Sequence, residues 1–176
     1  MNITLRPIEQ GDMEFLYRAY SSTREMEMAM VDWTDEQKQA FLQMQFSAQH
    51  SHYQQHYTTA AFLVILADGQ PAGRLYVDRW EDQIRIVDIL VVPEYRNAGI
   101  GTALLKALIA EGAQSGKPVT IHVEQYNPAL RLYERLGFTR IAERGVYYLM
   151  ECRTGALEAP EGSEAPEHQE IPGDEV

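Results

Sequence analysis

Arg96, Gly99, Gly101 and Thr102 follow a β-branched run, Ile84 to Val92, that Pro93 closes. Together they can hold an anion. Glycines at 99 and 101 have no Cβ, so an anionic group can come close to the main chain. A helix that starts near Thr102 leaves its first N–H groups unpaired and aimed at that group. Arg96 adds a charged fork suited to phosphate. The loop lacks the first glycine of a G-x-G-x-x-G fingerprint, and no lysine stands between Gly101 and Thr102 as a P-loop requires. On these residues alone, which phosphate is bound stays open. His122, five residues before Asn127, faces away from Ile121 and Val123. An imidazole has an unperturbed pKa of about 6.5 and can accept a proton at neutral pH. Asp88 sits on the strand before the loop, and a buried carboxylate there needs a partner, so it can equally serve to hold an arginine.

The elements that must position these groups follow from periodicity. Ile3 to Pro7 reads as a first strand, and a helix begins at Gly11-Asp12 with Asp12 as its N-cap and Phe15, Leu16, Ala19 and Tyr20 on one face. Thr34-Asp35-Glu36-Gln37 is a capping box opening a helix to about Tyr57. Ala60 to Leu66 and Pro71 to Asp78 form a hairpin around Asp68-Gly69, and a turn at residues 79–82 leads into Ile84 to Val92, so these strands are antiparallel. A helix over Thr102 to Ala113 then leads to a strand ending at Glu124, a right-handed crossover that makes the two strands parallel. Asn127 caps a helix over Ala129 to Leu136 that Gly137 stops, and Phe138 to Cys152 reads as a closing hairpin. Two features stay ambiguous. Met26, Met28 and Met30 fit a packed loop or the lining of an acceptor pocket. Trp80 fits a cap on the core or a partly exposed contact. His52 and His56 share a helix face, but no carboxylate or cysteine lies near them in sequence, so a solvated face is expected rather than a metal site.

A length of 176 residues with 45% apolar and 23% charged residues fits one soluble domain. The longest apolar run, Ala60 to Ala67, is too short to cross a bilayer, the N-terminus shows no signal-peptide pattern, and the single Cys152 excludes an internal disulfide. A cytoplasmic protein is the expectation. The net charge is −11, but seven acidic residues and no lysine or arginine follow residue 153, which leaves −4 on residues 1–153. A mildly acidic body lacks the basic face that nucleic-acid binding needs. Residues 1–153 are expected to form the domain, with 154–176 as an acidic disordered tail.

The pattern R-x-x-G-x-G after a strand ending in Val-x-Pro resembles the acetyl-CoA loop of the GNAT superfamily of N-acetyltransferases. Asn127-Pro128-Ala129-Leu130-Arg131-Leu132-Tyr133-Glu134-Arg135-Leu136-Gly137-Phe138 resembles a second block of that superfamily, one strand later, as in its members. The resemblance covers about residues 1–153. It implies an α+β fold whose mixed, mostly antiparallel sheet has splayed central parallel strands and flanking helices. It also implies an acetyl-CoA site and no metal. Pantetheine would pair with the strand edge at Leu90, Val91 and Val92, and the pyrophosphate would sit on Arg96, Asn97, Ala98, Gly99, Ile100, Gly101 and Thr102. Asn127 and Tyr133 would lie across from the thioester.

Direct transfer to a primary amine then needs three things: loss of the ammonium proton, a donor for the oxyanion, and a proton for the departing thiolate. The resemblance implies Tyr133 as that acid. His122 is the first candidate base, at a strand position where some members place a glutamate, with Asp88 and Glu124 behind it and ordered water as the fallback. Other members carry a glutamate where this chain has Val87. Partners would be acetyl-CoA and an amine acceptor, small molecule or peptide, with no nucleic acid and no membrane; a homodimer is compatible. The competing reading is a non-catalytic acyl-CoA-binding sensor, which needs Arg96, Gly99 and Gly101 but neither Tyr133 nor His122. A longer acyl donor is a third reading that only pocket depth decides.

Overall fold

A computed structural model describes residues 1–154, so nearly all of the expected acidic tail lies outside the described residues. Seven strands make one sheet: β1 (Ile3–Pro7), β2 (Ala61–Ala67), β3 (Gln70–Arg79), β4 (Ile84–Val91), β5 (Val119–Glu124), β6 (Thr139–Arg144) and β7 (Tyr147–Cys152). Their spatial order is β1-β2-β3-β4-β5-β7-β6. Only β4 and β5 run parallel, as their helical crossover requires. The sheet is therefore mixed and mostly antiparallel, with helices on both faces, as expected.

One face packs on α4 (Ile100–Ser115) and is apolar: Leu75, Val77, Ile86 and Ile121 meet Leu104, Leu105 and Leu108 in the main core. The other face lies under α1 (Met13–Ser22) and α3 (Asp35–His56), and α2 (Glu25–Ala29) packs against these two helices through Met28. Leu16 and Tyr20 of α1 pack there with Leu42 and Phe46 of α3. The sheet residues on this face are strongly polar, and several are almost fully buried: Arg74, Asp78, Arg85 and Thr120. Each finds a partner. The Thr59 hydroxyl donates to Asp78 at 2.7 Å, Arg85 Nε donates to Thr120 at 2.9 Å, and Arg74 donates to Gln49 of α3 at 2.8 Å. Unpaired, any of them would cost far more than an exposed counterpart.

Two local departures from a regular sheet create the site. β4 and β5 pair only through Ile84↔Val119, Arg85↔Thr120 and Ile86↔Ile121, so the strands part beyond Ile86. On its other edge β4 stays paired with β3, where Tyr76 faces Asp88 but Val77 faces Ile86. Val87 is the extra residue of this bulge, and bulges bend a strand and re-aim its side chains.

Helix boundaries differ modestly from the periodicity. α4 starts at Ile100 because Gly99, at φ 80°, is its cap, two residues before the expected start. α5 (Leu130–Arg135) is shorter than expected, since the turn at 127–129 is held by the Asn127 side chain accepting from Ala129 N at 2.8 Å. Asp12 occupies the N-cap position of α1, but its carboxylate does not cap that helix. It instead accepts from Arg6 at 2.7 and 2.8 Å and from Glu9 N. The capping box at Thr34 forms as expected, with Gln37 N donating to Thr34 Oγ1 and Thr34 N to Gln37 Oε1.

Candidate active site

The cleft opens where β4 and β5 separate. From Val87 to Val91 the edge of β4 that faces β5 has no strand partner among the described residues, so its main-chain groups are available to an extended ligand. Gly73 fixes this edge from behind. A Cβ there would collide with the carbonyl of Leu90, so only glycine lets β3 approach β4 so closely. Nothing in the sequence pattern singled Gly73 out; an isolated glycine in a strand was the available hint.

The loop after β4 turns through Asn97 at φ 61° and Gly99 at φ 80°. Ala103 N makes the first helical bond, to Gly99 O at 3.0 Å, so the N–H groups of Ile100, Gly101 and Thr102 precede the bonded ladder. No atom lies near the Cβ position of Gly101, which leaves room for a ligand group against the backbone. Arg96 has a structural task beside its expected one. Its Nε donates to Val91 O at 2.9 Å and Nη2 to Ser22 Oγ at 3.3 Å, tying loop, strand end and α1 together.

The expected chemical side chains meet in one cavity of about 200 Å³, lined by Asp88, Leu90, His122, Glu124, Asn127 and Tyr133 among others. Tyr133 is 4% exposed, its ring edge-on to Phe138 at 5.7 Å. Burial, and secondarily the charge of Asp88, hold its phenol well above the ordinary tyrosine value. Its hydroxyl has no hydrogen-bond partner among the described residues. Asp88 lies 2.5 Å from Arg74, whose side chain is 3% exposed. His122 Nδ1 stands 3.3 Å from Arg85 Nη1. A guanidinium can only donate, so Nδ1 accepts and the neutral ring carries its proton on Nε2. Glu124 lies 3.7 Å from Arg24 at the cleft's outer end.

The remaining walls come from elements the motifs did not include. Tyr20, Thr23 and Arg24 at the end of α1, Gln49, His52 and Tyr53 of α3, and Arg144 and Tyr147 of the last hairpin complete the cavity. Met26, Met28 and Met30 do not line it; Met28 is buried under α1 and α3, while the other two are exposed. The α3 histidines are not one solvated face either. His50 stacks on Phe46, with its pKa held below the ordinary value by burial first and Arg74 second, and His52 faces the cavity. Trp80 stacks on Tyr57 and under Arg85.

A match to the acetyltransferase (GNAT) family spans residues 22–138, two thirds of the sequence, and the chain belongs to that family. Over 87 residues it is 29% identical to the [Ribosomal protein bS18]-alanine N-acetyltransferase of Haemophilus influenzae, covering 49% of this chain and 60% of that protein. Over 50 residues it is 48% identical to the mouse cysteine-rich protein 2-binding protein, covering 28% of this chain but 6% of that protein. The chain thus spans less than two thirds of either relative. Among solved structures, a PaiA N-acetyltransferase from Thermoplasma acidophilum, in complex with coenzyme A, superimposes with a TM-score of 0.64 at 20% identity, over 88% of this chain and 100% of that one. No described helix is long and apolar enough to cross a membrane.

Proposed function

We propose that the protein moves an acetyl group from acetyl-CoA to a primary amine by direct attack within a ternary complex. The observation that carries this reading is the unpaired edge of β4 beside Tyr133, a buried residue that lines the cleft and whose hydroxyl has no hydrogen-bond partner among the described residues. The residues fit the cosubstrate. Main-chain groups near Leu90 and Val92 suit the pantetheine amides, the N–H groups of Ile100, Gly101 and Thr102 suit the pyrophosphate, and Arg96 and Asn97 flank it. The relatives named above, two of them N-acetyltransferases and one bound to coenzyme A, support the same chemistry.

Each step then has a residue. The amine enters between α1, α3 and the last hairpin, and its nitrogen attacks the thioester carbonyl. A main-chain N–H near Leu90 or Val91 donates to the oxyanion. When the C–S bond breaks, Tyr133 gives its proton to the departing thiolate; the raised pKa keeps that proton in place until it is needed. For the amine's own proton, Asp88 and His122 are the weaker candidates, since Arg74 occupies one and the other carries its proton on Nε2. Glu124 also has an arginine nearby, Arg24 at 3.7 Å, but its side chain is 40% exposed, and it takes the proton through water. Asn127 holds the turn that aims Tyr133.

A panel of amines (peptide N-termini, lysine, polyamines, small amines) incubated with acetyl-CoA tests the reading. N-acetyl product from one class, lost in Tyr133→Phe with coenzyme A binding intact, is expected. Coenzyme A binding with no product from any amine would favour a binding module instead.

A further inference from the structure

The charges around the cavity bear on what the acceptor carries besides its amine. Three arginines line the walls, Arg24, Arg74 and Arg144, against two carboxylates, Asp88 and Glu124. Arg74 is committed to Asp88 at 2.5 Å and to Gln49 at 2.8 Å, almost fully buried at the floor. Arg24 reaches Glu27 at 3.1 Å and Glu124 at 3.7 Å. Arg144 is different. It stands on the tight turn between β6 and β7, which β5 supports through Gln125 N donating to Val146 O at 2.8 Å. It is exposed, it lines the same cavity, and its side chain has neither an ion pair nor a hydrogen bond among the described residues. The cavity thus keeps one positive charge that its own carboxylates do not neutralise.

Size narrows the position of the partner group. A cavity of about 200 Å³ suits the reactive end of an acceptor rather than a protein surface. Groups one or two residues' length from the amine therefore lie at the rim, where Arg144 is. A polyamine or an alkyl amine would bring a second cation or bare methylenes to this charge, and neither satisfies it.

We propose that the acceptor bears a carboxylate close to its amine and that Arg144 reads it by a charge-assisted contact. The carboxylate has two sources, the α-carboxylate of a free amino acid or an acidic side chain near a peptide's N-terminus. This inference rests on the acetyltransferase reading above for the identity of the reacting group, but its test does not depend on turnover.

The test titrates matched acceptors into the protein saturated with coenzyme A. The pairs are alanine against alaninamide, and alanyl-aspartyl amide against alanyl-asparaginyl amide, with putrescine as the carboxylate-free control. In one pair the carboxylate member should bind about tenfold tighter or more, and which pair does so identifies the source. Arg144→Gln should erase that ratio and Arg144→Lys should restore part of it, with coenzyme A affinity unchanged in both. Ratios within about twofold in both pairs, or a preference that survives Arg144→Gln, would overturn the proposal. A carboxylate preference without any acetylated product would instead count against the acetyltransferase reading alone.

Discussion

Tyr133 and Asp88 share the cavity but answer to different physics. The Tyr133 hydroxyl makes no hydrogen bond among the described residues, so removing it should leave the fold intact while depriving the thiolate of its proton. Tyr133→Phe is expected to lower kcat by ~10²-fold or more with little change in the KM for acetyl-CoA, measured in steady state beside a melting curve. The raised pKa also sets the alkaline limb. Only the protonated phenol can donate, so kcat should not fall until the pH is well above about 10, the ordinary tyrosine value. A loss of activity centred near 9 would mean another group is the acid. Asp88, by contrast, neutralises a guanidinium that is nearly sealed from solvent. Asp88→Asn should cost about 3 kcal/mol or more in denaturant unfolding, because it strands that charge. A purely catalytic carboxylate would leave the unfolding midpoint unchanged.

β4 and the start of α4 border the cleft, and both depend on glycines for different reasons. Gly73 lets β3 carry the edge of β4 at close range, so Gly73→Ala should push the strands apart. The expected result is a stability loss of about 1–3 kcal/mol together with weaker coenzyme A binding, read by calorimetry on the same samples. Gly101 lies in the first turn of α4 with open space at its Cβ position. Gly101→Glu should therefore fold as well as the parent or slightly better, since any side chain helps a helix and an anion suits its N-terminus. The same carboxylate would meet the pyrophosphate, and coenzyme A affinity should fall by about 10²-fold or more. Wild-type affinity in that variant would remove the loop from the cofactor site.

At the scale of the whole molecule, the sheet has one apolar face for α4 and one buried polar face for α1 and α3, and that division decides what a sequence can reveal. The α4 side obeys periodicity, so the strands, the crossover and the helix of Leu104, Leu105 and Leu108 were legible from spacing alone. The loop at 96–102 and the turn at Asn127 were legible because glycine, asparagine and proline mark special backbone. The polar face was not. Arg74 and Arg85 look like solvent-facing strand residues until the register puts them under α3 and beside β5. Their bonds to Asp88 and His122, which weaken both as bases, are long-range pairings that no local pattern encodes. Gly73 was hidden for the same reason, because its need arises from a carbonyl seventeen positions away. The bulge at Val87 shifts the faces of β4 by one residue, which alternation alone does not show.

If this cleft passes an acetyl group directly from acetyl-CoA to an amine, no acetyl-enzyme forms on the way. The most direct test follows free thiol released from acetyl-CoA over time, with and without an accepted amine, at enzyme concentrations high enough to see one turnover. Thiol release that requires the amine, with one N-acetyl product per thiol and no initial burst in its absence, is the predicted result. A burst of about one thiol per enzyme without amine would reveal an acetyl-enzyme and contradict direct transfer.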